Sequence, residues 1–205
     1  MRGRCRHITL ILLLPVLLLL CACPDTPKLP PLPADGVVLA FGDSLTFGAG
    51  AAPEESYPAV LERMVGRKVI NAGVPGEVTA EGLARLPALL EEQKPALILI
   101  CLGGNDFLRR RDDHQTEANL REMVKLVRSK GYGAALIGVP RLGFGLEVPG
   151  WFTKIASDNG IPFEGKALKR ILADRSLKSD PIHPNAAGYR QLAEAVAKML
   201  GKAWH

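Results

Sequence analysis

The sequence predicts an α/β domain, a three-layer α/β/α sandwich around a central, mostly parallel five-stranded sheet. Two observations carry this. From Val37 onward, short apolar runs alternate with longer amphipathic stretches, the pattern of strands joined by crossover helices. The polar, glycine-bearing clusters each follow an apolar run or occupy a loop, where parallel sheets gather their ligand sites at the carboxyl ends of strands.

The strands read as Val37–Phe41, Lys68–Asn71, Ala96–Leu102 and Ala134–Val139, with a weaker fifth at Ile161–Phe163 because Pro162 cannot donate to a ladder. Four helices lie between or after them. Tyr57 to Val65 carries Pro58 in its first turn, where a missing N–H costs nothing. Thr79 to Gln93 starts on a threonine cap and spaces Leu83, Leu86, Leu89 and Leu90 helically, with a kink expected at Pro87. Gln115 to Lys130 puts Leu120, Val124 and Val127 on one face and stops at Gly131. Asn185 to Leu200 closes the chain with Leu192, Val196 and Leu200 inward.

The 205 residues suffice for one domain behind a leader, and 47% apolar with 23% charged residues is a globular balance. The formal charge of +5 includes Arg2, Arg4 and Arg6 of the leader; the remainder carries about +2, too little to suggest nucleic acid. The Arg109–Arg111 run is answered by Asp112 and Asp113 and reads as a solvated loop.

Residues 1–22 read as a signal peptide: three arginines, an apolar run from Ile8 to Leu20, then small residues. Leu20-Cys21-Ala22-Cys23 resembles a bacterial lipobox, which makes Cys23 the expected lipidation site and the cell envelope, facing the periplasm, the expected location. Residues 23–35 read as the lipidated cysteine and a proline-rich tether, extended by about 3 Å per residue, and 36–205 as the domain. Cys101 lies in an apolar run and reads as a buried small hydrophobe.

Four clusters carry candidate chemistry. Gly42-Asp43-Ser44-Leu45 follows the first strand, where Ser44 is either a nucleophile or a helix cap. Asn71-Ala72-Gly73 follows the second, where Gly73 leaves its N–H open to an oxyanion or merely turns the chain. Gly103-Gly104-Asn105-Asp106 follows the third; the Asn105 amide suits the same oxyanion, though Asn-Asp after glycines is also ordinary turn chemistry. Asp180-Pro181-Ile182-His183 precedes the last helix, and the spacing lets one loop hold a carboxylate against an imidazole. A histidine cation near a helix start opposes the dipole, so that position has little structural appeal.

In this order the four clusters resemble the block pattern of the SGNH (GDSL) hydrolases, from about Val38 to Leu200. Glu81–Leu90 and Leu102–Asp106 are similar to the bacterial group acting as acyl-CoA thioesterase, lysophospholipase and arylesterase. The resemblance implies a flavodoxin-like fold and a triad of Ser44, Asp180 and His183. It also implies an oxyanion hole from the Ser44 and Gly73 N–H groups and the Asn105 amide, and an acyl-enzyme route without metal or cofactor. Asp43 and Asp106 are expected to organise their turns through backbone N–H groups.

The segment Pro140–Trp151 departs from those relatives. Leu142, Phe144, Leu146 and Trp151 either line an acyl site under a mobile lid or simply cover the sheet. The expected partners are a small-molecule or lipid ester and, through Cys23, a membrane, with the chain acting as a monomer. Lipid-derived esters such as lysophospholipids head the expected substrates; O-acetyl groups of envelope polysaccharide stand second, and a non-catalytic binding lipoprotein third.

Overall fold

The computed structural model describes residues 27–33, 35–143 and 145–204. The expected leader, Cys23 and Phe144 lie outside the described residues. Five strands form one sheet: β1 (Val38–Gly42), β2 (Val69–Gly73), β3 (Leu97–Cys101), β4 (Gly133–Ile137) and β5 (Phe163–Glu164). Their order is β2-β1-β3-β4-β5 and every pairing is parallel. Every residue of β1, β3 and β4 is buried, which is why these strands are continuous apolar runs rather than alternating ones. β1, β2 and β3 end level, with Gly42 opposite both Gly73 and Cys101. Strand order reverses direction between β1 and β3, the crevice where such sheets bind ligands.

The helices are α1 (Ser44–Phe47), α2 (Tyr57–Val65), α3 (Thr79–Gln93), α4 (Gly104–Leu108), α5 (Asp113–Ser129), α6 (Gly150–Asn159), α7 (Ala167–Ala173) and α8 (Ala186–Ala203). α2 and α7 pack on α8 while α3 and α6 pack on α5, giving a helical layer on each side of the sheet. The three-layer sandwich expected from the sequence is therefore present. α3 continues through Pro87, which lies on its exposed side. Its cap differs from the expectation: Val78 holds the N-cap position, and Thr79 is already helical.

Three further differences have local causes. α6 and α7 lie in stretches too short and too mixed in composition to show helical periodicity. The Arg109–Asp113 run is more engaged than a solvated loop, since Arg109 donates to the Gly76 carbonyl at 2.8 Å and Asp113 pairs with Arg141. Asp112 also caps α5, accepting from the His114 and Gln115 N–H groups at 2.7 and 3.3 Å.

The proline-rich segment differs most. Residues 27–33 do not stand clear of the domain as a spacer; they lie along the amino edge of the sheet. The Leu29 N–H donates to the Ala203 carbonyl at 2.9 Å, and its side chain is buried beside Gly133 at the start of β4. Prolines extend the strap and keep its backbone from needing a ladder partner, while Leu29 supplies the apolar plug. Leu29→Ala is expected to cost about 2 kcal/mol and so lower Tm by roughly 4–8 °C in a domain of this size, read by circular dichroism. An unchanged Tm would mean that the strap is not docked.

Candidate active site

The site begins at the end of β1. Asp43 caps α1: its Oδ1 accepts from the Leu45 N–H at 3.0 Å, and its carbonyl from Thr46 and Phe47 at 3.1 and 2.9 Å. Ser44 is thus the first helical residue and faces the mouth of the sheet. The turn is tight enough to exclude a side chain at Gly42, where a Cβ would sit 2.2 Å from Thr46 Oγ1 and 2.3 Å from the Cys101 carbonyl oxygen. Gly73 meets the same helix; its Cβ would lie 2.1 Å from the Phe47 nitrogen.

His183 reaches Ser44 from the loop before α8. Asp180 Oδ1 accepts the Ile182 and His183 N–H groups, each at 2.8 Å, forming an Asx turn. Its Oδ2 is left to meet His183 Nδ1 at 2.7 Å, and His183 Nε2 lies 2.9 Å from Ser44 Oγ. Asn185 closes the loop, with its N–H donating to the Leu177 carbonyl at 2.9 Å and its side chain capping α8 at Gly188. Burial works to raise the Asp180 pKa, but hydrogen bonds from the His183 ring and the two backbone N–H groups outweigh it and hold the carboxyl below its usual range. Ser44, His183 and Asp180 therefore form one hydrogen-bonded chain, brought together across 139 positions of sequence.

Asn105, second residue of α4, lines the same pocket as Ser44 and His183. Its Nδ2 donates to the Glu77 carbonyl at 3.1 Å and, more weakly, to Asp43 Oδ2 at 3.3 Å. The Gly73 N–H donates to Asn71 Oδ1 at 3.0 Å. Both donors thus already have acceptors in this structure. The Ser44 N–H belongs to the first turn of α1, whose donors have no partner within the helix.

The pocket wall is apolar: Leu45, Phe107, Val139, Leu142, Leu172 and Ile182 face its opening. Of the described residues among the substrate contacts expected from the sequence, only Leu142 lies there. Leu146 is half-buried outside it. Trp151 sits in α6, stacked on Phe152 with centroids 4.2 Å apart and tilted against Phe107 at 6.1 Å, so it backs the pocket wall instead of lining it. The Arg141 N–H donates to the Glu147 carbonyl at 2.9 Å and pins the base of the 141–147 loop. Phe107 directly follows the Gly103–Asp106 cluster and Ile182 lies within the Asp180–His183 one, a signal the sequence did contain. Leu172 lies in α7, which the sequence did not reveal.

Three supports went unread in the sequence. Arg85 binds Glu77 through two 2.7 Å contacts, fixing the segment whose carbonyl holds Asn105. Tyr189 of α8 donates to the Ala49 carbonyl at 2.8 Å, tying the histidine-bearing end of α8 to the turn after Ser44. Asp106 accepts from the Thr79 N–H and hydroxyl at 2.9 and 2.7 Å, so it holds the start of α3 and not its own turn as expected, whereas Asp43 does organise its turn. Cys101 is buried, and burial together with the nearby Asp43 charge pushes its thiol well above the usual range, against any nucleophilic role.

Asp43 itself is 1% exposed. Burial above all, with repulsion from Glu77 and Asp106, raises its pKa to about 7 despite the opposing bond from Leu45. An acid that keeps its proton to higher pH when folded favours the folded state most below its ordinary 3.8, and that contribution is lost as pH climbs toward 7. Asp43→Asn retains a cap acceptor without the charge. It is expected to raise Tm at pH 8 by roughly 2–4 °C or more, the shift about 1 kcal/mol produces here, and the gain should vanish toward pH 4. A gain independent of pH would refute a charge origin.

Residues 40–191 match the family model of the GDSL-like lipase/acylhydrolase family. The chain is 32% identical over 176 residues to thioesterase 1/protease 1/lysophospholipase L1 of Escherichia coli, covering 82% of this chain and 84% of that protein. It is 38% identical over 127 residues to esterase TesA of Pseudomonas aeruginosa, covering 60% of this chain and 63% of that one, just under two thirds of its length. A crystal structure of TesA superposes with a TM-score of 0.72 at 30% identity, over 80% of this chain and 97% of the other. With a family model matched over about three quarters of its length, the chain belongs to the GDSL-like lipase/acylhydrolase family.

Proposed function

We propose that the protein is a serine hydrolase of carboxylic esters with apolar acyl groups, with Ser44 as nucleophile, His183 as general base and Asp180 as its orienting carboxylate. The observation that supports this best is the continuous Ser44–His183–Asp180 chain, at 2.9 and 2.7 Å, beside an apolar pocket. With Nδ1–H donated to Asp180, Nε2 is the acceptor facing Ser44. Ser44 Oγ attacks the acyl carbon as its proton passes to Nε2. The oxyanion takes hydrogen bonds from the Ser44 and Gly73 N–H groups and from Asn105. The imidazolium then protonates the departing alcohol or thiol, and a water deprotonated by His183 releases the acid from the acyl-Ser44 ester.

The relatives' names, esterase, thioesterase and lysophospholipase, agree with this chemistry. The exposed apolar side chains Phe47, Val74 and Leu108 stand near the carboxyl ends of the strands, which favours amphiphilic esters over O-acetyl groups on a hydrated polysaccharide. In the same reading the leader is removed, Cys23 is acylated, and a monomeric enzyme is held to the envelope membrane facing the periplasm.

Hydrolysis of p-nitrophenyl esters from acetyl to palmitoyl tests the assignment. Rates are expected to rise beyond acetyl and to vanish, with fluorophosphonate labelling, in Ser44→Ala. Activity confined to acetyl would instead favour deacetylation, and an unlabelled, folded wild type would exclude a serine enzyme. Asn105→Ala is expected to lower kcat about 100- to 1000-fold, the usual cost of one oxyanion donor, with little change in KM. A loss confined to KM would remove Asn105 from the oxyanion site.

A further inference from the structure

The two ends of the sheet are unlike. The carboxyl ends hold Ser44, Asn105 and His183, while the amino ends hold the strap, where Leu29 bonds Ala203 at the last turn of α8. α8 is a ruler between them. It starts three residues after His183, ends at the strap, and its 18 residues span about 27 Å. The described chain therefore leaves the domain, at Pro27, on the side remote from the active-site mouth.

Around that exit the surface is basic. Lys198 and Lys202, in the last turns of α8, line a groove with Pro27, and Lys28 is next in sequence; Lys166 and Arg170 line the same groove farther along the flank, beside α7. All five are exposed, and none pairs with a described acid. Two acids share the groove. Glu194 is exposed, and Glu164 is committed to capping α7, accepting the Lys166 and Ala167 N–H groups at 2.7 and 2.8 Å. Such a collar suits an anionic phospholipid surface, toward which clustered lysines are drawn.

We infer that the basic face around Pro27 rests on the bilayer that anchors the chain, so that the active site opens away from it and acts on esters arriving from the aqueous side or an opposing surface. This rests on the ester-hydrolase and Cys23-anchor readings above. Between Cys23 and Pro27 the chain reaches at most about 14 Å. For the mouth to touch its own bilayer the domain must invert, lifting the strap by about the 27 Å length of α8. That is twice the tether's reach. Had residues 27–33 been a free spacer, no such restriction would hold.

The test uses the full chain, acylated and reconstituted on vesicles of phosphatidylcholine and phosphatidylglycerol doped with a headgroup-dansylated lipid. The chain has two tryptophans, Trp204 at the strap and Trp151 behind the active-site pocket. Energy transfer to dansyl is expected to be strong from Trp204, isolated by Trp151→Phe, and weak from Trp151, isolated by Trp204→Phe. Equal or reversed transfer overturns the orientation, as does failure of the acylated chain to stay on the vesicles.

A second arm compares soluble p-nitrophenyl butyrate with a fluorogenic ester fixed to a two-chain lipid of the same vesicle. Inserting a long Gly/Ser segment between Thr26 and Pro27 is expected to raise hydrolysis of the fixed ester about tenfold or more, since a tether that cannot span the distance gives almost no effective concentration. The butyrate rate should stay unchanged. A fixed-ester rate indifferent to the insertion overturns the inference. The expected transfer pattern with no butyrate hydrolysis would instead sink the enzymatic reading and leave the orientation intact.

Discussion

The site depends on a close approach at the carboxyl ends of β1 and β2. Gly42 and Gly73 stand opposite each other in register, and α1 presses on both so tightly that neither position has room for a Cβ. That contact sets where Ser44 starts its helix, hence where Oγ points and which N–H groups face the crevice. Asp43 holds the joint from inside. One of its carboxylate oxygens caps the helix and the other touches the Asn105 amide, so a single buried acid couples the nucleophile turn to a second strand end. The same burial makes its charged form costly, directly beside Ser44.

Much of this was legible. Buried parallel strands have few solutions other than Val, Leu, Ile and Ala in sequence, so β1, β3 and β4 declare themselves, and crossover helices follow from their spacing. The four polar clusters could be read as one site because fold chemistry brings strand ends together. What escaped reading was set by tertiary context. α6 and α7 are short, and neither carries a long periodic face; Leu172 could not be assigned to the pocket before α7 was placed. Trp151 looked like a substrate contact by composition, yet its position at the start of α6 turns it onto Phe107 and Phe152. The Arg85–Glu77 and Tyr189–Ala49 contacts depend on side-chain reach between elements, which no local pattern encodes.

The donors proposed for the oxyanion show a different limit. Residue type identifies Gly73 and Asn105, but not their partners at rest. Asn71 Oδ1 and the Glu77 carbonyl occupy those donors before substrate arrives. Neither donor is left without an acceptor when the site is empty, so the desolvation cost of orphaned N–H groups is avoided. The transition state then gains only the difference between an anionic acceptor and a neutral one. Charge-assisted bonds are roughly twice as strong as neutral ones, so the exchange favours the developing oxyanion over a neutral carbonyl, as catalysis by differential binding requires.

The strap extends this logic to the opposite pole. Proline-rich composition alone argues for a spacer, because proline removes donors and fixes φ. One buried leucine with one backbone bond reverses that reading: Leu29 converts an extended segment into part of the domain. The reach of any anchor must then be counted from Pro27 and not from the domain boundary near residue 36. Here α8, joined to the histidine loop at one end and to the strap at the other, sets the distance between the candidate site and the point where the described chain leaves the domain.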